Sequence, residues 1–165
     1  MKPSHNVRRA TQADVIAVRT ISIETGLSDD ADDQSALEPM DEDHTWIVFE
    51  DETGSIVGAA YFGPESHSDR VWNLYFLAVK AAHQSGGTGS ALVHWVEENL
   101  RSRGADTAKL LLIETSSVDS FASTRTFYAK QGYTEVARVP DYYGPNDDKV
   151  VFWKALEENT RTSLA

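Results

Sequence analysis

The sequence contains no cysteine, which excludes disulfides, thiolate nucleophiles and zinc–thiolate sites. It has no apolar run near the ~20 residues needed to cross a bilayer. The opening segment, Met1–Ala10, is polar and basic and lacks the apolar centre of a secretory signal. A soluble cytoplasmic protein is therefore the expectation. Cations are scarce: 15 Lys and Arg stand against 26 Asp and Glu, a net charge of −11. Eight of the acids (Asp29, Asp30, Asp32, Asp33, Glu38, Asp41, Glu42 and Asp43) fall in one stretch without a Lys or Arg, and removing them leaves −3. Such a balance argues against sequence-independent nucleic-acid binding, which requires cationic surface. It suits a cationic partner such as an amine, although a solvated acidic face explains the stretch equally well.

What is present is enough for a core. Apolar residues make up 41% of a chain of 165, including 4 Trp, 6 Tyr and 6 Phe, as expected for one folded domain over 1–165. No repeat or low-complexity linker divides it. Val7–Ala10 reads as a short strand, and Thr11 with Asp14 as a capping-box variant opening a helix to about Thr25, stopped by Gly26. His44–Asp51 and Ser55–Phe62 read as a hairpin. Val71–Val79 is a near-continuous apolar strand of the kind found inside a sheet. A helix over about 87–103 carries Leu92, Val93, Val96 and Leu100 as its core stripe, and Lys109–Glu114 is a second central strand. A helix over 120–131 and two closing strands, Thr134–Val139 and Lys149–Ala155, complete the order, with Pro140–Asp148 as the loop between those strands. The expected fold is α+β, a mixed, mostly antiparallel sheet of about seven strands flanked by helices.

Between the strand 71–79 and the helix after it lies Gln84-Ser85-Gly86-Gly87-Thr88-Gly89-Ser90. Glycines there let backbone approach a ligand, and the helix start offers unpaired N–H groups and partial positive charge, which suit a phosphate. A P-loop is excluded because no Gly-Lys-Ser/Thr follows, and a dinucleotide fingerprint because Leu92 stands where a third glycine is required. The segment does match Q/R-x-x-G-x-G/A after a strand ending Leu77-Ala78-Val79, and so resembles the cofactor motif of the GNAT superfamily of N-acetyltransferases. A second block, Phe127-Tyr128-Ala129-Lys130-Gln131-Gly132-Tyr133, resembles that family's F-Y-x-x-x-G-F/Y segment in the expected order. The resemblance implies a sheet splayed between its fourth and fifth strands and acetyl-CoA as co-substrate. Leu77, Ala78 and Val79 would line the pantetheine arm, and Gln84, Ser85, Gly86, Gly87, Thr88, Gly89 and Ser90 would hold the pyrophosphate.

Acyl transfer to an amine needs a neutral nucleophile and a proton for the departing thiolate. A lysine-type amine is only about 0.04% neutral at pH 7, whereas an α-amino group is roughly 10–15% neutral, so a base helps aliphatic amines most. Some family members carry a Glu base at the position of Asn73, which cannot serve. The resemblance offers Glu114, at the end of the next strand, as base, and Tyr128 as donor to the thiolate. Either residue could instead be structural: Glu114 an exposed strand-end carboxylate, Tyr128 an aromatic packed beside Phe121 and Phe127. The family's Asn and Ala before the Tyr are replaced by Phe121 and Thr124, and Arg125 could reach a cofactor phosphate or face solvent. Tyr142 and Tyr143 could flank a cationic amine or pack in a turn, and Asp147 and Asp148 could attract it or end the loop. His44, His67, His83 and His94 have no metal-ligand spacing, and no metal is expected.

The reading is an acetyl-CoA-dependent N-acetyltransferase acting on a primary amine of a small molecule, amino acid or peptide by direct attack in a ternary complex. The alternatives are a protein N-terminal or lysine acetyltransferase, and a non-catalytic acyl-CoA-binding module. No membrane or nucleic-acid partner is expected, and a homodimer is allowed for.

Overall fold

The computed structural model describes residues 6–27 and 43–157; most of the acidic stretch lies outside them. The strands are β1 (Val7–Arg9), β2 (Thr45–Glu50), β3 (Ile56–Pro64), β4 (Val71–Val79), β5 (Leu110–Ser116), β6 (Thr134–Gly144) and β7 (Asp147–Ala155), and the α-helices are α1 (Val15–Glu24), α2 (Thr88–Ser102) and α3 (Ala122–Lys130). The sheet order is β1-β2-β3-β4-β5-β7-β6. β1/β2, β2/β3, β5/β7 and β6/β7 pair antiparallel, whereas β4 and β5 are parallel, the relation that a helical crossover such as α2 allows. The expected mixed sheet flanked by helices is thus the observed one.

By contact density the chain divides into two compact units: residues up to Pro64 with Leu74–Glu98, and Glu65–Asn73 with the residues from Asn99 onward. β4 and α2 contribute to both.

In the first unit, α1 opens as its sequence dictates. The Thr11 N–H donates to Asp14 Oδ2 at 2.7 Å, and Arg8 clamps the same carboxylate through two nitrogens at 2.8 and 3.0 Å. Two residues beyond the end of α1, Gly26 closes the turn with a φ of 71°, the left-handed conformation that glycine takes without penalty. Val18 and Ile21 of α1 bury against Trp46, Val48, Ala59 and Ala78. The α2 side chains Leu92, Val93 and Val96 are fully buried, and Trp95 meets Phe62 edge-on at 6.3 Å.

In the second unit, Leu111 and Ile113 of β5 and Phe152 of β7 are buried. The Trp72 indole donates to Thr107 O at 3.0 Å, under the Arg103 guanidinium at 4.7 Å. One expectation is corrected here. Residues 140–148 are not a loop: β6 runs to Gly144, β7 begins at Asp147, and these two residues pair. Pro145 and Asn146 (φ 60°) form the connection, with Pro first and a left-handed Asn second, the chemistry of a type II turn. The register breaks between Val139 and Gly144, where Pro140 lies on an outermost strand that tolerates it.

Candidate active site

The Gly-rich segment lies in the first unit, between the end of β4 and α2. Ala78 is buried against the α1 side of the sheet, while Leu77 and Val79 are half-buried. Strand alternation puts those two on the opposite face from Ala78. A single 3₁₀ turn, Ala81–His83, follows. The Gln84 side-chain amide then donates to Val79 O at 3.0 Å, so this residue closes the turn back onto its own strand. Ser85 and Gly87 take φ of 67° and 87°. The first helical bond of α2 is from Ala91 N–H to Gly87 O at 2.9 Å. The amides of Gly87, Thr88 and Gly89 thus precede the helical ladder, as donors at the positive end of a 15-residue helix.

Close packing beneath the turn sets its height. A Cβ on Gly58 of β3 would lie 2.9 Å from the Thr88 methyl and 3.1 Å from Leu92. The sequence reading did not mark Gly58, because a glycine inside an apolar strand carries no local signal of what approaches it.

The second unit holds the proposed acid–base groups. Tyr128 of α3 is 4% exposed. Its ring is packed among Phe127, Tyr133 and Phe152 at 5.4, 6.3 and 5.8 Å. Burial alone raises its pKa above the ordinary phenol value, so the hydroxyl is a persistent donor.

Glu114 of β5 is ion-paired with Lys149 of β7 at 3.2 Å. The Lys149 ammonium also lies 3.7 Å from the centre of the Tyr142 ring, which meets Tyr143 edge-on at 5.0 Å. Burial opposes the charge on Lys149, but Tyr142 and Glu114 outweigh it and its pKa is raised. That of Tyr143 is raised by burial and then by the Glu114 charge. The structure therefore gathers Glu114, Tyr142 and Tyr143 around a lysine that strand alternation could not associate with them.

The remaining candidates make hydrogen bonds within the chain. Arg125 donates to Ser116 O and Val118 O at 2.8 and 3.0 Å, tying α3 to the end of β5. Asp147 accepts from the Ser116 hydroxyl, joining β7 to the end of β5, and Asp148 accepts the Asp141 N–H at 3.0 Å within the β6–β7 hairpin. Asn73 is fully buried and donates through Nδ2 to Glu65 Oε1 at 2.5 Å. Glu65 was not singled out from the sequence. Among the described residues, no group of three or more His, Asp or Glu side chains is placed to hold a metal, and no helix is long and apolar enough to span a membrane.

The acetyltransferase (GNAT) domain model matches residues 41–135, more than half of the chain and both motif blocks. The chain belongs to the GNAT family. No curated protein matches the sequence. Among solved structures, one assigned to the GNAT family of acetyltransferases from Desulfovibrio desulfuricans superposes with a TM-score of 0.79 at 27% identity, over 92% of this chain and 98% of its own. An aminoglycoside 6′-N-acetyltransferase complexed with coenzyme A gives 0.73 at 18% identity, over 93% and 98%. A structure assigned as an acetyltransferase from Salmonella typhimurium, with its cofactor acetyl-CoA, gives 0.71 at 20% identity, over 96% and 98%. In this GNAT chain, the Gly-rich turn and Tyr128 both fall within the span matched by the family model.

Proposed function

We propose that the protein transfers the acetyl group of acetyl-CoA to a primary amine of a small molecule, amino acid or peptide. The observation that carries this reading is the strand–turn–helix at 77–90, whose amides lie ahead of the first helical bond of α2, within a chain of the GNAT family. Backbone N–H groups at a helix start satisfy pyrophosphate oxygens without a cationic side chain, which fits a chain with a net charge of −11. Gly86, Gly87, Thr88, Gly89 and Ser90 would supply these contacts, with Ser85 at their edge, while Leu77, Ala78 and Val79 present the strand to the pantetheine arm.

In the proposed reaction the amine nitrogen attacks the thioester carbonyl carbon, the C–S bond breaks, and the thiolate takes the Tyr128 proton. The products are an acetylated amine and the CoA thiol, and solvent restores the tyrosine proton. The amine must also shed a proton. Glu114 is the carboxylate implied for that role by the family resemblance, and it would have to exchange its Lys149 partner for the incoming amine. Tyr142 and Tyr143 would flank the amine beside it. The same site could accept a protein N-terminus or lysine, and the acceptor panel below includes both.

β6 is exposed along almost its whole length, with Val136 and Val139 among its open side chains. A homodimer through this outermost strand is part of the proposal, as is a cytoplasmic setting.

Thiol release from acetyl-CoA, measured against a panel of free amines, amino acids and peptides with mass-spectrometric detection of the product, tests the reading. Turnover with at least one amine is expected. Tight CoA binding with no turnover for any acceptor would instead identify a non-catalytic acyl-CoA-binding module. With an acceptor in hand, Glu114→Gln should slow lysine-type amines more than α-amino acceptors, since the former depend more on deprotonation. Equal slowing of both would remove Glu114 as the base.

A further inference from the structure

Aromatic rings from β2, β3 and β4 form a layer that the acyl-transfer chemistry above leaves unused. Trp46 stands opposite Tyr61 in the β2/β3 register, with ring centres 4.8 Å apart. Phe76 of β4 tilts against Trp46 at 5.1 Å. These three rings pack into the core with Val18 and Ile21 of α1. Beyond them the layer comes to the surface. His44, directly before β2, and Tyr61 are half-buried, and Tyr75 of β4 is 43% exposed.

The ring centres of His44, Tyr61 and Tyr75 mark a nearly equilateral triangle. They are 6.0 Å apart for His44–Tyr61, 6.2 Å for His44–Tyr75 and 5.9 Å for Tyr61–Tyr75. The imidazole plane lies 26° from that of Tyr61 and 24° from that of Tyr75. Three parallel rings in one column would put the outer pair at twice the nearest spacing. Equal spacings instead spread them side by side, and such a surface suits the stacking of another planar ring.

Two contacts fix the surface. The register that sets Thr45 opposite Phe62 carries His44 to Gly63. A Cβ on Gly63 would lie 2.7 Å from both Cγ and Nε2 of His44, so the glycine is what lets the imidazole lie against β3. The Tyr75 hydroxyl donates to Pro64 O at 3.2 Å. What Tyr75 offers a ligand is therefore the face of its ring, and rings held in place beforehand lose little freedom on binding.

The surface is continuous with the strand proposed to present the donor, because Tyr75 lies two residues before Leu77 on β4. All of these residues belong to the first unit. Asp43, exposed next to His44, favours the approach of a cation. We propose that His44, Tyr61 and Tyr75 seat the non-reacting end of the acceptor, and that the acceptor is an arylalkylamine, a primary amine joined by a short alkyl linker to a planar aromatic ring. The inference rests on the acetyl-transfer reading above and narrows its acceptor to one chemical class.

Steady-state thiol release from acetyl-CoA by the full chain tests it, comparing benzylamine, phenethylamine and phenylpropylamine with butylamine and cyclohexylethylamine. The best arylalkylamine should have a KM about tenfold below that of butylamine and severalfold below that of cyclohexylethylamine, which matches phenethylamine in size but has no π face. Tyr75→Leu keeps an apolar side chain and removes the ring. It should raise the arylalkylamine KM about tenfold, with the KM for acetyl-CoA and the unfolding temperature near wild type. Tyr75→Phe keeps the ring and should keep the low KM. Gly63→Ala displaces His44 from behind and should raise the same KM severalfold. In the CoA complex, saturation-transfer NMR should show the ligand's ring protons against the protein, and Tyr75→Leu should weaken that signal.

An arylalkylamine KM no lower than that of cyclohexylethylamine, in a wild type that acetylates both, would overturn this proposal and leave the acetyltransferase reading standing. So would an unchanged arylalkylamine KM in Tyr75→Leu, which would mean that something other than the acceptor covers the rings. A wild type that binds CoA yet acetylates no amine of any class would remove both.

Discussion

Tyr128 is held by three aromatic rings and shielded from water, so its proton stays on through the neutral and mildly alkaline range. Tyr128→Phe removes only the hydroxyl. It should lower kcat by about 10²-fold with little change in the KM for acetyl-CoA, read by steady-state thiol release. Because burial moves this pKa upward, any loss of rate between pH 7 and about 9 should persist in other active variants and must come from another group. The sequence could nominate Tyr128 through its F-Y-x-x-x-G-Y context, but not its shielding, which comes from Phe152 on a strand more than 20 positions away. The limit is sharper for Glu114 and Glu65. One proved to face Lys149 and the other to bond Asn73. Both partnerships are made by strand register and turn geometry, which spacing along the chain does not encode.

Among the elements, those with a strong internal signal were read correctly. Val71–Val79 is legible by its near-continuous apolar run, α2 by its core stripe, and the start of α1 by Thr11 and Asp14. Asp14 also gives that helix a pH signature. Its carboxylate, bonded to Arg8 and to the Thr11 amide, has a pKa lowered from 3.8. The associated stability is complete above that ordinary value and is lost as the pH falls through the lower folded one. Asp14→Asn should cost about 2 kcal/mol at neutral pH and flatten the acid side of the stability curve, measured by denaturant unfolding at several pH values. The β6–β7 hairpin departs from the expected loop because Pro140, Asp141 and Gly144 each favour turns, whereas an outermost strand with a register break accommodates all three and leaves Pro145 and Asn146 as the turn. A further test sits under α2. Gly58→Val should push Thr88 and Leu92 off β3, destabilise the fold by about 1–3 kcal/mol and weaken CoA binding in calorimetry, since the helix start carries the proposed donor amides.

For the molecule as a whole, the fold was legible because its two motif blocks lie on consecutive strand–helix units, and their order pointed to one family before any coordinates. Composition contributes mainly exclusions, and a net charge of −11 fits the proposed holding of a phosphate by backbone at the head of α2. The acceptor was not legible. The side chains proposed to meet it come from separate strands, and the acidic stretch that suits a cationic partner lies mostly outside the described residues. The central claim, that the turn at 84–90 holds the pyrophosphate of a CoA thioester, is tested most directly by titration calorimetry comparing CoA with pantetheine, which lacks the pyrophosphate and nucleotide, on wild type and Gly87→Val. Gly87 has open space around it but a φ of 87°, so a side chain there acts by distorting the turn rather than by filling a pocket. The account predicts that wild type binds CoA at least about tenfold more tightly than pantetheine, a difference of about 1.4 kcal/mol, and that Gly87→Val removes most of that preference. Equal affinity for the two ligands, or an undiminished preference in Gly87→Val, would contradict it.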